Sequence, residues 1–122
     1  MEGADAMAGA LRFWMAAIGA VAAGTVAMAF TAAASPPAPA RQKELMNLLT
    51  QDCGSCHGLT MKGGLGPPLL PETLAGKEDG RLADIIRNGV PDTPMPPWAF
   101  EITPDEALWL VAVLRQGLVH GR

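Results

Sequence analysis

The sequence is poor in the residues that usually carry covalent or metal chemistry. Its 122 residues include two cysteines, two histidines and no tyrosine. Two cysteines form at most one disulfide, so the chain cannot be one of the disulfide-dense secreted scaffolds. The formal net charge is also small, at −3. Because nucleic-acid binding rewards a strongly basic face, we expect no nucleic-acid partner.

Charge is missing from one long stretch near the N-terminus. No charged residue occurs between Phe13 and Ala40, and the stretch follows Arg12. A basic residue before an apolar run, with alanines at 32–34 as a small-residue cleavage site, predicts a signal peptide over residues 1–34. The alternative is an uncleaved membrane anchor, since the run is long enough to span a bilayer. Export to the periplasm is therefore expected, with membrane contact only if the segment is retained.

Composition divides the rest of the chain into a spacer and a domain. Residues 35–40 have the sequence Ser-Pro-Pro-Ala-Pro-Ala, which is typical of a short polyproline-type spacer. Residues 41–122 then form one domain. A domain this short buries little apolar area, so it usually needs an additional stabilising group such as a metal or a cofactor.

The two cysteines lie in a single motif, Cys53-Gly54-Ser55-Cys56-His57. A thioredoxin-like redox pair shares the Cys-x-x-Cys spacing but expects a βαβ frame. A structural zinc site needs four ligands, and only His120 could join those of the motif. Covalent haem fits the pattern better, because two thiols one helical turn apart reach two vinyl groups on one porphyrin edge. We therefore expect one haem c bound through both cysteines, with His57 directed at the iron.

The iron then needs a ligand on its other side, and Met95 is the strongest candidate. Prolines at 94, 96 and 97 keep its backbone extended and present the thioether from a stiff loop. Met46 and Met61 lie too close to the motif in sequence, and His120 lies near the chain end. The alternative is that Met95 fills the core beneath a proline-rich loop. His/Met coordination closes the iron to substrate and favours electron transfer over an enzymatic reaction.

Hydrophobic periodicity predicts three helices and no strand, hence an all-α domain. The first covers about residues 41–53, and the second covers about residues 79–88 with a stop signal at Gly89. The third begins at a capping box, residues 103–106, and ends near Gly117. Trp109, within this third helix, is expected in the core.

Residues 45–117 resemble a class I cytochrome c domain. The resemblance depends on the cysteine motif, on Gly66-Pro67 with Leu69, and on Met95-Pro96, in that order. It implies three to four helices around one covalently bound haem. It also implies that the Pro67 carbonyl accepts a hydrogen bond from Nδ1 of His57 and that Leu69 packs on the haem.

This sequence departs from that family pattern in two places. The first helix lacks the aromatic residue that often packs where it crosses the last helix, and only Leu and Met are available there. The tyrosine that bonds a haem propionate is also missing, since the chain has no tyrosine. Trp98 is a candidate for the second role.

Residues 57–67 and 93–98 are similar to the small periplasmic cytochrome c-55x of denitrifying bacteria. This similarity implies an electron carrier associated with the haem-cd-type nitrite reductase, which is a candidate redox partner. With a closed iron, we expect a one-electron carrier and not an enzyme. Three alternatives stay open: a membrane-anchored relay, a factor in the maturation of nitrite reductase, and a peroxidase-like haem enzyme with an open iron site.

Overall fold

The computed structural model describes residues 35–117, and its secondary structure is helical. The helices are α1 (Pro39–Leu48), α2 (Gly54–His57), α3 (Pro71–Leu74), α4 (Asp79–Asn88) and α5 (Pro104–Arg115). A π-helical segment, Leu49–Cys53, connects α1 to α2. No strand occurs between residues 35 and 117, which confirms the all-α prediction. The predictions for residues 1–34 and for His120 concern residues outside the described range.

Helical backbone at the N-terminal end extends further than the sequence predicted. It begins at Pro39, whose missing N–H costs nothing at the first helical position. The last two residues of the predicted spacer, 39 and 40, are therefore helical. Gln42 holds the remaining spacer, since its Nε2 donates to the Pro37 carbonyl at 2.7 Å. At the other end, helical backbone passes through the cysteine motif to His57 instead of stopping at Cys53.

The other two predicted helices agree closely with the structure. Helix α4 has the predicted bounds, and the backbone of Gly89 after it has a positive φ of 69°. Helix α5 begins with the predicted capping box and is followed by Gly117, whose φ is 68°. The short helix α3 was not predicted. None of the helices between residues 35 and 117 is long and apolar enough to cross a membrane.

The core is formed around α5. Eleven buried apolar residues make one cluster: Leu45, Leu49, Met61, Leu74, Ala83, Ile102, Ala107, Leu110, Val111, Val113 and Leu114. Burying a side chain of the size of leucine contributes about 1.5–3 kcal/mol. Trp109 is half-buried and packs against this cluster, which confirms its predicted core position. Met61 is fully buried there, so it serves the core and is not a candidate ligand.

An ion pair joins α1 to α5, at the crossing where the family's usual aromatic residue is missing. Nε of Arg41 donates to Oε1 of Glu106 at 2.7 Å, and Nη2 donates to the Glu101 carbonyl at 2.7 Å. The other oxygen of Glu106 accepts from the backbone N–H of Thr103 at 2.8 Å. The Arg41 guanidinium and the Thr103 N–H lower the pKa of Glu106 to about 2. Leu45 and Leu49 supply the apolar packing on this side of the domain.

A second arginine holds the connection between α3 and α4. Nε of Arg115 donates to Oδ1 of Asp79 at 2.6 Å, and Nη1 donates to the Leu74 carbonyl at 3.0 Å. Nη2 donates to the Lys77 carbonyl. One guanidinium at the C-terminal end of α5 thereby closes the loop that leads into α4.

Candidate functional site

The cysteine motif lies on helical backbone at the junction of the π-helical segment and α2. The N–H of Gly54 donates to the carbonyl of Leu49, five residues back, which is the signature of a π turn. Such a turn adds one residue to the local repeat and changes the direction of the side chains that follow it. Cys53 ends this turn, and Cys56 and His57 end α2. Residues three and four apart share one helical face, so the motif places these three side chains together.

His57 is oriented by a backbone carbonyl. The residue is 8% exposed, and its Nδ1 lies 2.7 Å from the carbonyl oxygen of Pro67. Because a carbonyl oxygen only accepts, Nδ1 must carry the proton and donate. This is the hydrogen bond that the family resemblance implies. Nε2 of the neutral ring then bears the lone pair, and no residue between 35 and 117 hydrogen-bonds to it. The ring is therefore prepared to bind a metal through Nε2.

The glycine-rich loop after α2 packs closely on the motif. Gly63 and Gly66 donate their N–H groups to the carbonyls of His57 and Cys56, at 2.8 and 2.9 Å. These bonds satisfy carbonyls at the end of the helix. A Cβ on Gly66 would lie 2.7 Å from Cε1 of His57, closer than real Cβ contacts. Glycine at 66 is therefore required for Pro67 to reach the imidazole.

The two thiols of the motif are free and half-buried. Burial, with a smaller contribution from the Asp52 carboxylate, raises the pKa of the Cys53 thiol to about 11. Cys53 also packs against the apolar core. Free thiols are what thioether attachment of a porphyrin requires, whereas a disulfide between them would prevent it.

Met95 lies in a loop that is tied to the C-terminal end of α4. Its carbonyl accepts from the N–H of Val90 at 3.2 Å, and its own N–H donates to Oγ1 of Thr93 at 3.3 Å. Further along, the N–H of Trp98 donates to the carbonyls of Ile86 and Arg87, at 3.2 and 3.0 Å. Met95 is half-buried and does not belong to the buried core cluster. This position does not support the core alternative for Met95, and its ligation of the iron stays a prediction.

The two remaining predicted site residues lie beside the core. Leu69 is half-buried, packs against the apolar cluster, and donates its N–H to the Met61 carbonyl at 2.9 Å. Trp98 also packs against the cluster and stacks on Phe100, with ring centroids 5.8 Å apart. No residue between 35 and 117 accepts from the Trp98 indole N–H. That group is therefore available to an external acceptor, and its contact with a propionate stays a prediction.

Sequence reasoning missed two residues at this site. Gly89 was interpreted only as a helix stop signal, yet its backbone lies against the Met95 carbonyl. Thr93 was interpreted only as part of a proline-rich run, yet its hydroxyl bridges two backbone groups of the loop. The sequence signal was the short spacing, since Thr93 and Met95 follow Gly89 by four and six residues.

Comparison with known proteins decides the family. A family model described as cytochrome c oxidase, cbb3-type, subunit III matches residues 40–113. Cytochrome c55X of Paracoccus denitrificans (strain Pd 1222) is 51% identical over 89 residues, which are 73% of this chain and 86% of the relative. The chain belongs to the cytochrome c55X family of c-type cytochromes. The class I cytochrome c resemblance and its narrower c-55x form are thereby confirmed.

Two other similarities extend this family assignment. The solved structure of the c-type cytochrome NirC matches with a TM-score of 0.66 and 52% identity, covering 68% of this cytochrome and 98% of that chain. Dihydro-heme d1 dehydrogenase of Pseudomonas aeruginosa is 39% identical over 69 residues, which are 57% of this cytochrome and 14% of that relative. A small part of a larger redox enzyme is therefore built like this cytochrome.

Membership of this family means that the protein carries covalent haem c, and the observed site fits that cofactor. The chain has two cysteines, and both are free in the motif. The Pro67 carbonyl holds the proton of His57 on Nδ1, so Nε2 is the ring atom that would bind the iron. When bound, haem c supplies a one-electron centre, since its iron alternates between the ferrous and ferric states.

Proposed function

We propose that this cytochrome is a periplasmic one-electron carrier whose haem iron is ligated by His57 and Met95. In this proposal, residues 1–34 direct export, residues 35–40 connect them to the domain, and the domain carries one haem through Cys53 and Cys56. The observation that carries the proposal is the hydrogen bond of 2.7 Å between His57 Nδ1 and the Pro67 carbonyl. It directs the other ring nitrogen toward a metal and strengthens its donation.

The loop around Met95 supports the second ligand. Its backbone is bonded on both its N–H and its carbonyl sides, so the thioether projects from a fixed base. A thioether stabilises ferrous iron and raises the reduction potential relative to a second imidazole. Two protein ligands also exclude substrate from the iron. These properties suit a carrier and give no support to a peroxidase-like reaction.

Replacement of the sixth ligand tests this assignment. The wild-type holoprotein should show a low-spin spectrum with the weak near-red band of iron–methionine ligation. Met95→His should keep the covalent haem, lose that band and lower the reduction potential, measured by optical titration. Met46→Leu is a matched control, since Met46 only packs beside the core. An unchanged potential in Met95→His would exclude Met95 as the ligand.

The proposed redox partner is the haem-cd-type nitrite reductase. Support comes from the similarity to cytochrome c55X of a denitrifying bacterium. Leu65 is a candidate contact residue for this partner, because it is 86% exposed. It lies close to the cysteine motif, since the N–H of the next residue, Gly66, donates to the Cys56 carbonyl. Electron-transfer complexes bury little surface, so a single side chain close to the cysteines that attach the haem should affect the rate of electron transfer.

Rapid mixing tests this partnership. The reduced cytochrome should be oxidised by nitrite reductase in a second-order reaction. Leu65→Glu should slow that reaction while it leaves the spectrum and the reduction potential unchanged, because it alters only the contact surface. Lack of any electron exchange with nitrite reductase would exclude it as the partner and leave the carrier assignment intact.

A second candidate is an electron-transfer role in the maturation of nitrite reductase. The observation that favours it is the 39% identity to part of dihydro-heme d1 dehydrogenase. A dehydrogenase must pass its electrons to an acceptor, and a small cytochrome related to one of its own segments could collect them. Reduction of this cytochrome by that enzyme acting on dihydro-haem d1, measured spectroscopically, tests the role.

A membrane-anchored form of either carrier would be identified by the mass of the mature protein.

A further inference from the structure

We propose that Gly89 and Thr93 are positioning residues for Met95, which hold its backbone where the thioether can reach the iron. This inference rests on the proposed His57 and Met95 coordination and adds to it the means by which Met95 is held. A methionine side chain has three rotatable bonds and no charge, so nothing in the side chain itself fixes its direction. Its position must therefore come from the backbone that carries it.

Gly89 supplies the surface against which the Met95 backbone lies. Its φ and ψ are 69° and −169°, a combination that is essentially restricted to glycine. A Cβ at this position would lie 2.6 Å from the Met95 carbonyl oxygen, 2.9 Å from the carbonyl carbon of Pro96 and 3.0 Å from the nitrogen of Pro97. All three are backbone atoms, so a side chain at 89 could be accommodated only by moving the loop.

Thr93 connects two backbone groups of the loop through its side-chain hydroxyl. Its hydroxyl donates to the Val90 carbonyl at 2.7 Å and accepts from the Met95 N–H at 3.3 Å. Val90 in turn donates its N–H to the Met95 carbonyl at 3.2 Å. The turn needs this support, because Asp92 has a positive φ of 60° that is uncommon for a residue other than glycine.

The far side of the loop is held by α4 itself. Trp98 donates to the carbonyls of Ile86 and Arg87, and the N–H of Ala99 donates to Arg87 at 3.0 Å. These are carbonyls of the last turn of α4, which have no partner within the helix. Residues 89–99 thus start and finish at the same helix end, with Met95 between them. The position of the ligand depends on that closure.

The expected effect is a change in how often Met95 leaves the iron. If the backbone is preorganised, most molecules keep the methionine bound, and loosening the loop raises the fraction in which it is released. Carbon monoxide binds ferrous haem only when the sixth position is free. Its binding rate therefore reports that fraction, independently of any electron-transfer activity.

The first test compares two glycine variants of the holoprotein. Gly89→Ala should lose most of the near-red band and bind carbon monoxide about tenfold faster or more, since the backbone of the loop must move. Gly76→Ala is the matched control: its φ of 74° is also positive, but a Cβ there would meet nothing within 4 Å. It also places an alanine at a positive φ but does not displace Met95, so the band and the rate should stay at wild-type values.

The second test removes the hydroxyl while it keeps the shape of the side chain. Thr93→Val should raise the carbon monoxide rate about threefold to tenfold, the range expected for loss of exposed hydrogen bonds. Thr93→Ser, which retains the hydroxyl, should restore a rate close to that of the wild type. This pair tests whether the loop positions Met95 through Thr93 even if Gly89→Ala fails to fold.

The outcomes separate this inference from the proposal on which it rests. If the wild type itself lacks the near-red band, the proposed ligation by Met95 fails. If the wild type has the band, and Gly89→Ala and Thr93→Val keep both the band and the wild-type rate, the ligation stands and the positioning role is overturned. Equal losses in Gly76→Ala and Gly89→Ala would assign the effect to backbone strain and would also overturn it.

Discussion

The chemistry of His57 is decided by its neighbours rather than by the imidazole itself. The Pro67 carbonyl selects the tautomer, and Gly66 lets that carbonyl come close enough to do so. Both neighbours act through backbone atoms. Substitution at Pro67 would therefore alter the ring only if the loop moved, whereas any side chain at Gly66 meets the ring directly.

The contact between Gly66 and His57 yields a prediction. Gly66→Ala should displace the imidazole, because its Cβ would lie 2.7 Å from Cε1 and 2.8 Å from Nδ1. The thioethers should keep the haem attached, but the low-spin spectrum should weaken and the reduction potential should shift. Gly80→Ala is the control, since nothing lies within 4 Å of its Cβ. Equal spectra for the two variants would show that the loop adjusts around the added methyl group.

At the scale of the element, the termini of helices do much of the positioning. The carbonyls at the end of α2 receive the glycine-rich loop, and those at the end of α4 receive the Met95 loop. Both loops come back to a helix end because the last carbonyls of a helix lack partners inside it. The N-terminus of α5 is used in another way: its capping box shares Glu106 with Arg41 of α1.

The shared carboxylate makes stability depend on pH. Because the pKa of Glu106 is lowered to about 2 from 4.5, the ionised form stabilises the fold. This contribution is complete above about pH 4.5 and is lost as the pH falls toward 2. Glu106→Gln should therefore lower the free energy of unfolding at pH 7, and the difference from the wild type should shrink toward pH 2. Urea unfolding followed by circular dichroism measures both.

Asp105→Asn is the matched control for this prediction. Asp105 is the preceding residue in the first turn of α5, it is exposed, and the change removes the same charge. It should have a smaller effect at pH 7 than Glu106→Gln. If the two variants lose equal stability, the general field of the helix terminus is responsible and the Arg41 pair is not.

At the scale of the whole molecule, the described residues 35–117 contain one apolar cluster of eleven buried residues. That is a small core, and short domains usually depend on a further stabilising group. Haem c is the group that this family attaches, and it would add a large apolar surface to the domain. Leu69 and Trp98, which are predicted to contact it, already pack against the cluster. The cofactor is thus expected to contribute to folding as well as to redox chemistry.

Removal of the attachment points tests that dependence. A Cys53→Ala, Cys56→Ala double variant, produced without haem, should be largely unfolded by circular dichroism and should show no cooperative thermal transition. The holoprotein is the reference, and it should unfold cooperatively. A cooperative transition in the haem-free variant would mean that the core of α1, α4 and α5 is sufficient without the cofactor.

The sequence predicted most of the helices and the haem-attachment motif, because these features depend on local sequence signals. The cysteine motif, the capping box at Thr103 and the end of α4 at Gly89 each depend on residues a few positions apart. Two local predictions still had errors. The first helix begins at Pro39, two residues before its predicted start. Helical backbone also continues through a π turn to His57, because the choice between an α and a π turn depends on packing beyond the segment.

What the sequence alone determined was the kind of site: a pair of thiols, a histidine, a proline two residues before Leu69, and a methionine among prolines. Only the tertiary structure decided how these residues are held. The family resemblance had implied the bond between the Pro67 carbonyl and Nδ1 of His57, but not the other contacts. The Met95 carbonyl against Gly89 and Arg41 on Glu106 each join residues at least six positions apart. Such contacts form when tertiary packing brings distant chain segments together, and local sequence patterns do not specify which segments will pack.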